Sequence, residues 1–230
     1  MLRKKLVSRY APVILCTLFL VTLPLLGDVG IMSLVSRILI FGLLVMSLDI
    51  LVGYAGLWSL GHAVYFGVGG YATGILITYF NITSFWIVAP AALLTVALVA
   101  AIFGVVALRG SGMYFMLITV ALGQMVYGLV NVTHGGMDLI TGGSDGLPGV
   151  PYPDFGFLSL HSPFAFYYFV LIACIICYVL IYVITESPFG YRLRGIQDSE
   201  IRMRILGYNT WLYKYIAFIV AALFAGVAGI

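Results

Sequence analysis

The sequence predicts an all-α, polytopic membrane protein, and three observations predict it. Of its 230 residues 63% are hydrophobic and only 8% charged, against about 25% charged in soluble domains, so it cannot clothe a water-facing surface. Its apolar residues fall in runs long enough for helical spans of roughly 20 residues each. Its lysines and arginines are sorted onto alternate connections, as the positive-inside rule requires. The same apolar content excludes intrinsic disorder, and three cysteines are too few for a disulfide scaffold. A net charge of +3, with no basic stripe interleaved with aromatics, argues against nucleic-acid binding.

Seven hydrophobic segments follow in order: 11–26, 31–52, 57–80, 86–108, 112–133, 164–185 and 214–230. The first follows a basic start (Arg3, Lys4, Lys5, Arg9) but is not followed by a small-x-small cleavage site, so a retained span is expected. With the N-terminus cytoplasmic, ten of the eleven basic residues fall inside, and the outer connections 27–30, 81–85 and 134–163 hold none. Those outer connections carry Asp28, Asp138, Asp145 and Asp154 instead. Adding or dropping one span would scramble this separation. The last run stops at Ile230 without a polar tail, which leads us to expect a piece of a longer protein.

Several chemistries lack their residues. A phosphate-binding loop needs a Gly-Lys pair, and none of Lys4, Lys5 or Lys214 follows a glycine. His62, His134 and His161 are too scattered for a His-Glu-x-x-His zinc site. Cys174-x-x-Cys177 has metal or redox spacing but sits among Ile, Leu and Tyr in a span, which favours packing. Asn81-Ile-Thr83 and Asn131-Val-Thr133 match a glycosylation acceptor pattern that commonly arises by chance.

Three stretches carry more. Between Gly53 and Gly74 lie seven glycines, with Ser59 and His62 among them. Glycine costs about 1 kcal/mol against alanine inside a helix, so such density calls for a reason. One is close helix packing, with Gly70-x-x-x-Gly74 letting backbones touch. The other is a broken or re-entrant helix lining a polar path, with Ser59, Gly61, His62, Gly67 and Gly70 as its candidates. Arg37 and Asp49 are ionisable residues within a span, and Arg37 joins the path candidates. Snorkelling to headgroups is the plainer reading of both. Gln124, mid-span, is expected to hydrogen-bond a neighbouring helix.

The outer loop, rich in Gly, Pro, Ser and Asp, demands tight turns, either as a structured connector or as a docking surface. Its candidates are Thr141, Gly142, Gly143, Asp145 and Gly146. The inner segment 186–213 concentrates charge. Asp198-Ser199 can cap a short helix ending at Gly207, with acid-first pairs Asp198–Arg202 and Glu200–Arg204 and with Ile201 and Ile205 on one face. Balanced charge favours a protein partner over the lipid surface.

Three blocks in order resemble the LivM-like permease subunits of ABC importers for branched-chain amino acids. They are Gly53-Tyr-Ala-Gly-Leu-Trp-Ser-Leu-Gly-His-Ala63 with its glycine-rich sequel, Thr141-Gly-Gly-Ser-Asp-Gly-Leu147, and the stretch from Ser187 through Gly190, Arg194 and Glu200 to Asn209. The resemblance implies that the third block is the coupling loop that docks into a cleft of the ATPase. Arg194, Asp198, Glu200, Arg202, Arg204 and Gly207 are then its candidate residues, and Glu200 and Gly207 match the anchors of the family motif. Met203 and Ile205 depart from the small alanines common there.

The expected function is a permease subunit that moves branched-chain amino acids by alternating access. It would be a transport subunit, not an enzyme, in a bacterial or archaeal cytoplasmic membrane. Its expected partners are a second homologous permease, two ABC ATPases that hold ATP and magnesium, and an extracytoplasmic solute-binding protein. This chain would bind no cofactor or metal. A related importer for urea or short amides remains open, as does an ion-coupled carrier or channel that needs no ATPase.

Overall fold

The computed structural model describes residues 17–26, 29–131, 141–143, 146–147 and 162–230. Among these, every regular element is a helix, and five are long and apolar enough to cross a membrane. The chain is an all-α, multi-pass membrane protein.

We number the helices α1 Val29–Asp49, α2 Ala63–Thr78, α3 Phe85–Ala107, α4 Met113–Val130, α5 Pro163–Thr185, α6 Pro188–Asp198, α7 Glu200–Ile205 and α8 Thr210–Gly229. Of the first expected segment, residues 17–22 are helical and continue into the 3-10 turn Leu23–Leu26. This stretch leans on α5, where the Tyr167 hydroxyl donates to the Leu20 carbonyl at 2.7 Å.

Local sequence explains the helix starts after α4. Ser162, Ser187 and Ser199 each cap a helix by accepting a backbone N–H, and Asn209 does so for α8. Pro163 and Pro188 occupy the first helical turn, where a missing N–H costs nothing. Gly207, with φ of +87°, ends the turn after α7 in the left-handed conformation open to glycine.

Helix α8 is the centre of the bundle. Its buried face (Ala217, Phe218, Ala221, Ala222, Ala225, Gly226) packs on α1, α2 and α3, and α5 packs on the outside of α1. Small residues on that face let backbones approach, which is how packing stabilises helices when lipid is as apolar as the core. Against α2 the approach is tightest: a Cβ on Gly69 would sit 2.6 Å from the Gly226 carbonyl oxygen, and one on Gly70 would sit 3.1 Å from that of Gly229.

Residues 57–80 do not form one continuous helix, as the broken-helix reading of the glycine-rich stretch anticipates. Helix α1 ends in the π turn Ile50–Tyr54, the chain turns at Ala55 and Gly56 (φ +68°) and runs without helix to His62, and only then does the 16-residue α2 begin. At 1.5 Å per residue α2 is about 24 Å long, short of a hydrocarbon core about 30 Å thick. Burial alternates strictly from Ala55 to Leu60, with Ala55, Leu57 and Ser59 inside and Gly56, Trp58 and Leu60 outside. Beyond the turn at Gly56, that period of two fits extended backbone.

Candidate functional site

A cavity of about 940 Å³ opens between α2, α3 and α4, towards the end of the bundle where α2 and α4 finish. Val64, Gly67, Val68, Tyr71 and Ile75 line it from α2, Ala91 and Thr95 from α3, and Gly123, Val126, Tyr127 and Asn131 from α4 and its end. Among the described residues, every one that lines it is uncharged. Aliphatic walls with a few hydroxyls and one amide suit a small solute with an apolar body and a polar handle. Gly67 stands open to this space, since an added Cβ would meet nothing within 4 Å.

Thr141, Gly143 and Gly146 close the cavity from the far end. The Thr141 hydroxyl donates to the Val130 carbonyl at 2.9 Å and receives the Gly143 N–H, tying this turn to the end of α4. Left-handed φ at Gly142, Gly143 and Gly146 explains why glycine recurs here.

Below the cavity lies the break between α1 and α2. The π turn is closed by the Ala55 N–H on the Ile50 carbonyl at 3.2 Å and the Leu57 N–H on that of Leu51 at 2.8 Å. His62 is only 3% exposed, and its Nε2 pairs with the Ser47 hydroxyl of α1 at 2.9 Å. The Leu60 N–H donates to the Thr119 hydroxyl of α4 at 3.3 Å, and Gly61 lies against the Thr119 backbone so closely that no side chain fits. Ser59 Oγ and His62 Nδ1 are buried without a hydrogen-bond partner among the described residues. Non-helical backbone survives at membrane depth only where protein surrounds it, and these contacts supply the surroundings.

At the opposite end of the bundle, α6 and α7 form a platform. Glu200 accepts from Arg204 at 2.6 Å and the Thr210 hydroxyl at 3.0 Å on one oxygen, and from Lys214 at 2.5 Å on the other. Burial pulls the Glu200 carboxyl upward, but its bonds to Lys214, Thr210 and Arg204 prevail and hold its pKa below the ordinary carboxylate value. The carboxylate thus locks α7 to the first turn of α8. Ile201, Ile205 and Leu206 are then 74%, 80% and 70% exposed.

The family model described as the branched-chain amino acid transport system permease component matches residues 30–230. The chain belongs to that family. It is similar to the high-affinity branched-chain amino acid transport system permease protein LivM of Escherichia coli K12, at 28% identity over 90% of this chain and 53% of that protein. The LivM protein of Salmonella typhimurium LT2 is 27% identical over the same shares. The chain therefore spans about half the length of these curated relatives. No solved structure matches it.

Against the residues singled out from sequence, the structure is selective. Of the path candidates Gly67 lines the cavity, while Gly70 faces α8 beside a smaller recess. Ser59, Gly61 and His62 lie at the break and are not among the cavity's lining residues; His62 bonds Ser47 of α1 and Gly61 packs on Thr119 of α4. Arg37 lies on the exposed face of α1, away from it. Within the glycine-rich stretch, Gly69 and Gly70 pack against α8 while Gly67 opens on the cavity.

Of the outer docking candidates, Thr141 and Gly143 are buried, and with Gly146 they line the cavity. Gly142 packs on the Gly146 backbone, and Asp145 lies outside the described residues, as does most of the loop 134–163. In the coupling block, Arg194 and Glu200 are engaged within the chain. Asp198 closes α6 while Arg202 belongs to α7, so the expected Asp198–Arg202 pair straddles a break and does not form, whereas Glu200–Arg204 does. Sequence reading missed Lys214 and Thr210, because their partner lies ten or more residues away across a turn. The missed cavity residues on α3 and α4 have no motif signal at all.

Proposed function

We propose that this chain is the membrane-spanning part of an ATP-driven importer for branched-chain amino acids in the cytoplasmic membrane of a bacterium or archaeon. The observation that carries the reading is the cavity between α2, α3 and α4, whose described lining is uncharged and largely aliphatic. Its volume of about 940 Å³ falls within the roughly 300–1,000 Å³ of small-molecule sites. Aliphatic walls favour a leucine, isoleucine or valine side chain, and Asn131, Thr95 and the tyrosines can meet the polar end of the amino acid.

The α7 platform faces the cytoplasm in this scheme, as the positive-inside sorting of the arginines supports. Exposed Ile201, Ile205 and Leu206, with Arg202, offer a short helical knob to a groove in an ABC ATPase. Two such ATPases hold the ATP and magnesium, a second homologous permease completes the path, and an extracytoplasmic binding protein delivers the solute. ATP-driven closure of the ATPases shifts α7 and converts outward-facing to inward-facing states.

The test uses the full-length protein, reconstituted with those partners in proteoliposomes. ATP-dependent uptake of labelled leucine, competed by isoleucine and valine and not by urea, is expected. Competition by urea would shift the substrate to short amides. Uptake persisting without the ATPases would replace the reading with a self-sufficient carrier.

A further inference from the structure

Helix α6 makes an unusual pair of contacts with the helix break. The Arg194 guanidinium lies over the Tyr54 ring, 4.7 Å from its centroid, and pairs with Glu186 at 3.3 Å. One turn on, Gln197 Nε2 donates to the Val52 carbonyl at 3.4 Å, and a side chain on Gly56 would press on Gln197 Cγ at 3.0 Å. Leu193 is buried in the same cluster as Ile50, Leu51, Ala55 and Leu57. On its other side α6 carries α7, whose Met203 sulfur lies so near Gly195 that an added Cβ would be 3.0 Å from it. The departure from alanine at 203 thus fills a glycine notch on α6.

A continuous mechanical route follows. Met203 rests on α6; α6 grips the π turn; the extended link holds Thr119 and Ser47 through Leu60, Gly61 and His62; and α2 then begins as the cavity wall. A π turn is a weak point of a helix and is frequent at functional sites, and an extended link has no helical hydrogen bonds to break when it flexes. We propose that the segment Ile50–His62 is the hinge by which movement of α6–α7 shifts α2 against the cavity, with the Arg194–Tyr54 stack and the Gln197–Val52 bond as the contacts that transmit it. This rests on the importer reading and names the device that couples its two ends.

The test is made in the complete reconstituted transporter, reading ATPase association, ATP hydrolysis and labelled leucine uptake in parallel. Tyr54→Leu should keep association and hydrolysis within about twofold of wild type while uptake per ATP falls tenfold or more, and Arg194→Gln should lower uptake per ATP to the same extent. Tyr54→Phe, which keeps the ring, should behave as wild type, and the double variant should be no worse than either single one, because both remove one contact. Gln197→Leu, on an exposed residue, should lower the ratio about threefold. An unchanged ratio in Tyr54→Leu, Arg194→Gln and Gln197→Leu overturns the hinge. So does loss of assembly or a parallel fall of hydrolysis and uptake, either of which makes the contacts structural only. Failure of the importer reading looks different, since wild-type uptake would then be indifferent to the ATPases.

Discussion

Glu200 has both carboxylate oxygens occupied by its own chain, so its part in any docking is to hold α7 in place while Ile201 and Ile205 face outward. Its folded pKa lies below the ordinary value, so the stability it adds is complete above that value and is lost as pH falls through the lower, folded one. Thermal unfolding of the detergent-solubilised protein followed down to acidic pH should therefore show a drop confined to that acid range. Glu200→Gln should flatten this drop and lower stability near neutral pH. Two glycines of α2, two residues apart, make a second contrast at this scale. Gly67→Val projects into the open cavity and should cut leucine uptake tenfold or more with little change in melting temperature. Gly69→Val meets the Gly226 backbone and should destabilise by about 1–3 kcal/mol, the usual cost of overpacking.

Among the elements, α7 depends most on a single side chain. Six residues are too few for a helix to persist alone in water. It stands because Ser199 caps its start, Gly207 closes its end and Glu200 ties it to α8. Ser199→Ala removes the bond to the Arg202 N–H and should cost about 1 kcal/mol. The expected signature is weaker association with the ATPase subunits in pull-down, with the fold of the bundle retained by circular dichroism. Helix α6 behaves differently: Leu193 and Ile196 are buried, so it stays anchored when α7 frays.

Across the whole molecule, the polar work is separated from the apolar mass. Two of the three ion pairs among the described residues radiate from Glu200 and the third joins Arg194 to Glu186, all at the α6–α7 end, whereas the described residues that wall the cavity are uncharged. Many large apolar residues of α1, α3, α4 and α5 are exposed, among them Leu34, Phe41, Leu94, Leu117 and Ile172. In a bilayer these are lipid-facing or partner-facing surfaces, and no water need touch them.

By itself the sequence determined the class of protein, the cap at Ser199 and the Glu200–Arg204 pair. Each of these depends on composition or on residues within about four positions, and such local terms are written directly in residue order. Only the tertiary structure decided which glycines pack and which open the cavity, that His62 bonds to Ser47 instead of lining a path, and that Lys214 and Thr210 complete the grip on Glu200. Those outcomes depend on which helices become neighbours. A glycine facing a backbone and a glycine facing a void are identical in the chain and differ only in what the folded bundle sets opposite them.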